Sequence, residues 1–234
     1  MKIKTKKLEL FLKEIRMEEI EECLLQFKEE GLYVTAMSSA NTHQSKGTLK
    51  KEAFEEYEAI GNVGVDGLNS LILAIKKMGE ELNIEIKGNL LHIKNPNKEF
   101  AYELVDEKYI KVNEKNPKLE HKTEFKVDVT KIHEFLNDAK SNTEFAANIT
   151  TVNNGIRIHN EGKYKFTHNI DAPGALEGEK VKFLTPFANV MKEIKTGEIT
   201  MKISTDYPML IKHETPEYTT EFLIAPYAEK WTKK

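Results

Sequence analysis

An internal repeat constrains this chain more than any other feature. Two stretches share one plan: a short strand, a helix with lysines near its end, a glycine, an alternating strand, a turn and a last strand. They are VGVDGLNSLILAIKKMGEELNIEIKGNLLHIK, residues 63–94, and VKFLTPFANVMKEIKTGEITMKISTDYPMLIK, residues 181–212. Gly79 and Gly197 lie where a helix C-cap belongs, and Leu82 and Ile84 alternate as in a half-buried strand. Because one plan occurs twice, we predict a duplicated fold.

A second helix is predicted ahead of each repeat, with Thr5 and Thr130 as N-caps. Its apolar positions recur at helical spacing, and they are Leu8, Phe11, Leu12 and Ile15 in the first copy and Ile132, Phe135, Leu136 and Ala139 in the second. The sequence therefore predicts an α+β protein of two similar domains, residues 1–106 and 123–234, each with two helices packed on antiparallel sheets. The polar stretch 107–122 is predicted to connect them.

Motifs that would indicate chemistry are missing from the sequence. It has no Walker loop, zinc-type cysteine pair, His-Glu-x-x-His or serine-elbow motif, and Cys23 is the single cysteine. His159 and His168 lie in neighbouring strand-like stretches, but no carboxylate or third ligand is placed with them. We expect no metal, no cofactor and no enzymatic activity. An enzyme whose site residues are scattered along the sequence stays an alternative.

The predicted location is inside the cell. No apolar run approaches the length of a membrane span, and the start MKIKTKKLEL lacks the apolar stretch of a signal peptide. A lone cysteine suits a reducing compartment. We expect no membrane association, and a place in the cytoplasm or nucleoid of a prokaryotic or viral system or in the nucleus of a eukaryotic one.

Charge is distributed unevenly, although the chain as a whole has a net charge of -3. The four predicted helices, residues 5–17, 67–79, 130–142 and 186–196, hold ten Lys or Arg and five Asp or Glu. If these helices share a side of the sheets, they form a basic wall suited to phosphate groups. Lysines are also good helix formers on solvated faces, so the charge by itself leaves both interpretations open.

Three stretches carry a family resemblance: YPMLIKHETPEYTTEFLIAPYAEK near the end of the sequence, GLYVTAMSSAN and KEAFEEYEA. In that order they resemble the last hairpin of the PCNA-type sliding clamps with its Leu-Ala-Pro-basic end, the strand and loop that contain Met-Asp-Ser-Ser-His, and the strand that follows. The sequence departs from the family pattern at four of these positions. Ser38 replaces the aspartate, Asn41 lies about where histidine is expected, Ile224 replaces the leucine, and Tyr227 lies at the basic residue.

The resemblance implies a clamp fold and a ring. Three copies, as a homotrimer, would encircle duplex DNA and tether DNA polymerase, clamp loader, ligase or nuclease through short peptide motifs. Such a ring confers processivity in DNA replication and serves DNA repair. Free sheet edges need a partner, and head-to-tail pairing closes a ring. The edges are predicted around residues 99–105 and 165–170, with the subunit interface formed by Phe100, Tyr102, Leu104, Tyr164, Phe166 and His168.

Two sets of site residues follow from the same resemblance. The predicted DNA-facing set is Lys6, Lys7, Lys13, Arg16, Lys76, Lys77, Lys131, Lys140, Lys192 and Lys195. The predicted partner-peptide pocket is Met37, Asn41, Val112, Leu119, Pro208, Phe222, Ile224, Ala225 and Pro226. Two alternatives keep the fold: a peptide-binding adaptor that does not encircle DNA, and one subunit of a heteromeric clamp.

Overall fold

The chain divides into two compact units. A computed structural model describes residues 1–17, 20–112, 119–140, 146–183 and 185–227. Unit 1 comprises Met1–Asn116 and Glu214–Thr220, and unit 2 comprises Pro117–His213 and Glu221–Lys234. The division falls within the stretch predicted as a connector, of which residues 113–118 lie outside the described ones. Residues 214–220 belong to unit 1, although the predicted C-terminal domain included them.

Unit 1 holds two helices and two antiparallel sheets. Its elements are β1 (Lys2–Lys4), α1 (Thr5–Arg16), β2 (Cys23–Lys28), β3 (Gly31–Met37), β4 (His43–Lys50), β5 (Phe54–Glu56), β6 (Gly61–Val65), α2 (Leu68–Lys76), β7 (Glu81–Lys87), β8 (Leu90–Asn95) and β9 (Lys98–Glu103). One sheet has the strand order β5-β1-β7-β8-β9, and the other contains β4-β3-β2-β6.

Unit 2 repeats this arrangement. Its elements are β10 (Thr123–Asp128), α3 (Val129–Ala139), β11 (Ala147–Val152), β12 (Gly155–Asn160), β13 (Thr167–Asp171), β14 (Lys180–Phe183), α4 (Thr185–Glu193), β15 (Glu198–Ile203) and β16 (Met209–Glu214). One sheet has the order β13-β12-β11-β14, and the other contains β10-β15-β16. Glu214, the last residue of β16, belongs to unit 1, and the last strand, β17 (Tyr218–Ile224), contributes its first three residues to unit 1 and the others to unit 2.

The duplication is visible in the strand pairing. The order β1-β7-β8 of unit 1 corresponds to β10-β15-β16 of unit 2, and β4-β3-β2-β6 corresponds to β13-β12-β11-β14. In each unit one helix follows the first strand, β1 or β10. The other helix follows β6 in unit 1 and β14 in unit 2, the strands that pair with β2 and β11 at the end of the sheet. The predicted class, two helices on antiparallel sheets in two similar units, is confirmed.

The helix stripes form the cores as predicted. Leu8, Phe11, Leu12 and Ile15 are buried in unit 1, and Ile132, Phe135 and Ala139 in unit 2, whereas Leu136 of the predicted stripe is only half-buried. Removal of such side chains from water is the main stabilising contribution to each unit. Gly47 of β4 shows how closely α1 packs, because a Cβ there would lie 2.7 Å from a ring carbon of Phe11 and 2.8 Å from Ile15.

Both predicted N-caps are wrong by one or two residues. Lys4 occupies the cap position of α1, so Thr5 is already helical and buried. In α3 the cap is Asp128, whose carboxylate accepts hydrogen bonds from the backbone N–H and the hydroxyl of Thr130, each at 2.8 Å. A cap side chain must precede the first helical residue, and each helix begins earlier than the apolar stripe suggested.

Candidate nucleic-acid interface and partner site

Helix α1 contains two buried carboxylates, and basic residues of the same helix lie beside one of them, Glu9. Lys13 Nζ lies 2.6 Å from Glu9, and Lys6 Nζ lies 3.8 Å from it. Burial opposes ionisation of Glu9, but these lysines outweigh it and hold the pKa of the carboxyl below its usual range. Glu14 is also buried, and it accepts hydrogen bonds from the hydroxyls of Tyr218 at 2.6 Å and Thr220 at 2.9 Å.

The other residues of unit 1 in the predicted DNA-facing set lie on α1 and α2 or at their ends. Arg16 donates to the side chain of Asn69 at 2.7 Å, which connects α1 to α2. Lys7 Nζ is 3.7 Å from Glu217. Lys76 and Lys77 are exposed at the end of α2, where Lys77 is the C-cap.

In unit 2 the predicted basic residues have acidic or amide neighbours. Lys131 Nζ lies 2.9 Å from Glu134. Lys140 donates to the side-chain oxygen of Asn137 at 2.7 Å, and Lys192 Nζ is 3.4 Å from that of Asn189. Lys195 donates to the carbonyl of Lys192.

The basic excess of the helices is smaller than predicted. Within their observed bounds the four helices contain seven Lys or Arg and five Asp or Glu, a net charge of +2. Lys77, Lys140 and Lys195 lie just beyond helix ends that the apolar pattern had placed later.

The first predicted subunit edge is β9, the terminal strand of its sheet. Phe100 and Tyr102 are half-buried, with ring centres 6.3 Å apart. Tyr102 donates to Asp66 at 2.7 Å, and burial together with this hydrogen bond raises the pKa of its hydroxyl. Leu104 departs from the prediction because it lies beyond the strand and is buried. Its backbone N–H donates to the carbonyl of Asn89 at 2.7 Å.

The second predicted edge is β13, which ends the four-stranded sheet of unit 2. His168 lies in β13, with Nε2 2.9 Å from Asp138 of α3. Tyr164 and Phe166 precede the strand, which begins at Thr167. Asn160 fixes this segment, because its side chain accepts from the N–H of Phe166 and donates to the carbonyl of Tyr164, each at 2.8 Å.

The predicted peptide pocket divides between the units. Met37, at the end of β3, and Val112 are half-buried in unit 1. Asn41 is exposed with a φ of 56°, a left-handed conformation that asparagine tolerates better than most residues. Its N–H bonds the carbonyl of Ser38 at 2.9 Å.

In unit 2 the described end of the connector meets the turn that contains Pro208. His121 Nε2 lies 2.8 Å from the Pro208 carbonyl, and the N–H of Lys122 donates to Ser204 at 2.7 Å. Leu119, half-buried, lies two residues before His121. These bonds place the segment that contains Leu119 beside the Pro208 turn.

The alternation of side chains along β17 corrects the predicted pocket at two residues. Phe222 and Ile224 are completely buried in the core, so neither offers its side chain to a partner. Leu223 lies between them and is half-buried on the opposite face of β17. Side chains alternate along a strand, and the alternation from Tyr218 onwards could have revealed Leu223 as the outward residue.

Pro226 lines a cleft of about 590 Å³ in unit 2. Tyr227 follows it, and its N–H donates to the carbonyl of Lys182 in β14 at 2.8 Å. The Lys182 ammonium lies 5.0 Å from the centre of the Tyr227 ring and 2.6 Å from Glu161. That hydrogen bond holds the pKa of Glu161 below its usual range. Ala225, just before Pro226, is exposed.

The described residues form neither a metal cluster nor a membrane span made of a helix. They contain no group of three or more His, Cys, Asp or Glu side chains arranged to hold a metal ion. Within the same part of the chain, every helix is too short or too polar to cross a membrane.

Comparison with known proteins identifies the fold. No family model matches the chain, and no curated protein matches it in sequence. Among solved structures, the PCNA of A. fulgidus, determined with the C-terminal region of FEN-1 bound, superposes with a TM-score of 0.85 at 19% identity over 98% of both chains. The chain has the PCNA-type clamp fold.

A second solved structure agrees. PCNA from Entamoeba histolytica superposes with a TM-score of 0.80 at 13% identity, over 97% of this chain and 98% of that one. The predicted clamp fold is therefore confirmed along nearly the whole length, although few residues are shared. Structure is retained where sequence is not, because burial pattern and strand pairing tolerate extensive substitution of the side chains.

Proposed function

We propose that this chain is a subunit of a DNA sliding clamp, a closed ring that encircles duplex DNA and tethers DNA polymerase for processive replication. The observation that supports this most strongly is the fold likeness to two PCNA structures over at least 97% of each chain. A clamp acts as a scaffold and needs neither a cofactor nor a catalytic group. Its compartment is then that of the replicated DNA.

Ring closure is proposed to use the two terminal strands. β9 and β13 each end a sheet in the described chain, so each has a backbone edge to which a second copy can add a strand. Because the two edges belong to different surfaces, their pairing is head-to-tail and generates a closed ring when the rotation closes. We propose a homotrimer, with Phe100 and Tyr102 on one side of each joint and Tyr164, Phe166 and His168 on the other.

Binding to DNA is proposed to be non-specific. Lysines neutralise phosphates without reading bases, and the chain has only Arg16 and Arg157 as arginines. A weak, salt-dependent contact permits sliding, while the closed ring keeps the clamp on the duplex.

Partners are proposed to dock through short peptides. The A. fulgidus PCNA binds the C-terminal region of FEN-1, which supports a peptide site here for polymerase, clamp loader, ligase or nuclease. The proposed residues are Met37, Asn41, Val112, Leu119, Pro208, Ala225 and Pro226, with Leu223 taking the place of Phe222 and Ile224. A tethered partner gains effective local concentration rather than chemistry.

The test has two steps. Light scattering over a range of protein concentrations should give about 81 kDa, three times the chain mass of 26.9 kDa. The ring, loaded by its loader, should then stay on nicked circular DNA at high salt and leave after the circle is cut. A single-chain mass at every concentration would favour the heteromeric subunit or the adaptor, and equal retention on circular and cut DNA would refute encirclement.

A further inference from the structure

The helix pair of unit 1 presents almost only positive charge. α1 contains four basic residues and two acidic ones, but Glu9 and Glu14 are 5% and 4% exposed. α2 contains Lys76 and no acidic residue, and Lys77 follows as its cap. Lys6, Lys76 and Lys77 are exposed. Among the charged side chains of these two helices, those that reach solvent are therefore cations.

The helix pair of unit 2 presents both positive and negative charge. α3 and α4 contain two basic and three acidic residues, and Lys140 and Lys195 lie just beyond their ends, as Lys77 does beyond α2. Glu134 and Asp138 of α3 are both exposed, with 55% and 50% of their side-chain surface accessible. Glu134 pairs with Lys131 at 2.9 Å. A phosphate approaching this surface meets carboxylates as readily as ammonium groups.

The cations of unit 1 also retain their charge towards solvent. In the part of the chain that the structure describes, Lys76 and Lys77 are not within 4.0 Å of a carboxylate oxygen. Lys6 is 3.8 Å from Glu9, which is closer to Lys13 at 2.6 Å. Pairing with Glu9 therefore falls mainly on Lys13.

Two leucines lie among these cations. Leu10 of α1 is 36% exposed and Leu73 of α2 is 49% exposed. Leu10 lies four residues after Lys6, and Leu73 lies three and four residues before Lys76 and Lys77, so each shares a helix face with them. A leucine side chain cannot form a hydrogen bond with a phosphate. These two positions therefore do not fix the duplex at one place on the surface.

We infer that the phosphate contacts of the clamp are made by unit 1 through α1 and α2, with Lys6, Lys76 and Lys77 as principal cations. Charge complementarity with the duplex backbone is the reason. This inference rests on the proposed function and narrows the predicted set of ten residues. Lys131, Lys140 and Lys195 of unit 2 are excluded from it.

Two matched triple variants of the full chain test the inference. One is Lys6→Ala, Lys76→Ala, Lys77→Ala, and the other is Lys131→Ala, Lys140→Ala, Lys195→Ala. All six residues are exposed, and each variant removes three charges. The probe is a mixed-sequence duplex of about 30 base pairs, and the measurement is fluorescence anisotropy at several salt concentrations.

The readout is the slope of log association constant against log salt. Each phosphate that a variant no longer neutralises reduces the steepness of that slope by about 0.9, so the slope of the unit 1 variant should be shallower by about 2.7 for each subunit that contacts the duplex. The unit 2 variant should keep the wild-type slope. Equal reductions in the two variants, or a larger reduction in the unit 2 variant, would overturn the inference.

Other outcomes separate this inference from the proposed function. If the wild-type ring stays on circular DNA and both triple variants keep its salt slope, the inference fails and the clamp stands. If the wild-type protein is never a ring, the proposed function fails whatever the slopes are. Wild-type binding to anionic lipid vesicles as tight as to the duplex, at equal salt, would contradict a surface specific to nucleic acid.

Discussion

The first helices of the two units, α1 and α3, share a buried phenylalanine but differ in the surroundings of their acidic residues. Counted from the first helical residue, Phe11 of α1 corresponds to Phe135 of α3, and both are completely buried. Glu14 and Asp138 also correspond, as the tenth residue of each helix. Glu14 is buried against Tyr218 and Thr220, whereas Asp138 is exposed beside His168.

The neighbouring strand explains this difference. In unit 1, β4 is flanked by the beginning of β17, and that segment supplies both hydroxyls to Glu14. In unit 2, the corresponding strand β13 ends its sheet. A carboxylate is buried only where hydrogen-bond donors accompany it. The duplicated core thus retained the fold, while the strand beyond it decided which helix presents a carboxylate to solvent.

The largest expected effect is a loss of folding stability on replacement of Glu14, the buried member of the pair formed by Glu14 and Asp138. Glu14→Ala leaves the hydroxyls of Tyr218 and Thr220 buried without this acceptor, and we expect a loss of about 3 kcal/mol in the free energy of unfolding. Urea denaturation followed by circular dichroism measures it. Asp138→Ala is the matched control and should leave the unfolding of a single chain unchanged. Similar losses in both would show that burial does not distinguish the two carboxylates.

Asp138 should instead affect assembly. If β9 of a neighbouring copy covers β13 as β17 covers β4, Asp138 becomes enclosed in the joint. Asp138→Ala should then weaken trimer formation about tenfold, because the joint loses a hydrogen bond to a charged group. Light scattering during dilution measures the dissociation. An unchanged midpoint would separate Asp138 from the proposed interface.

Removing Glu134, one of the two exposed carboxylates of α3, should bring the charge of the unit 2 helices closer to that of unit 1. Glu134→Gln releases Lys131 from its ion pair while keeping the size of the side chain. We expect the slope of DNA binding against salt to steepen by about 0.9, one phosphate contact, for each subunit that contacts the duplex. Glu134→Gln combined with Lys131→Ala is the control and should restore the wild-type slope. A slope that steepens in both variants would exclude Lys131 as the cause.

The smallest effect is expected at Glu9, and it depends on pH. The pKa of Glu9 is lowered in the folded chain, so its ionised form stabilises the fold above the ordinary glutamate pKa of about 4.3, and this contribution disappears as pH falls through the lower folded value. Glu9→Gln should therefore reduce stability by about 0.5 kcal/mol at pH 7.

Thermal unfolding of wild type and Glu9→Gln at pH 7 and at pH 3 checks this prediction. The two proteins should converge at the lower pH, since Glu9 is then losing its charge in the wild type as well. A difference that persists or grows on acidification would mean that packing, rather than the ion pair with Lys13, accounts for the role of Glu9.

Periodicity determined much of this protein before any tertiary contact was known. The stripe of Leu8, Phe11, Leu12 and Ile15 and the alternation of Leu82 and Ile84 predicted a helix and a strand that the structure contains. These patterns are local, since side chains three or four apart in a helix and two apart in a strand share a face. The duplicated plan followed from them.

Only the tertiary structure decided the surroundings of the charged residues. Glu14 and Glu134 look alike in sequence, but the donors for Glu14 lie 204 and 206 residues away along the chain. Phe222 and Ile224 were predicted at the rim of a pocket, and although alternation assigns both to the face opposite Leu223, the tertiary structure shows how completely that face is buried. The local sequence pattern sets the element in which a side chain lies and the face it occupies. The contacts of a buried carboxylate or an outward leucine depend instead on which distant strand lies beside it, because that strand supplies the neighbouring groups.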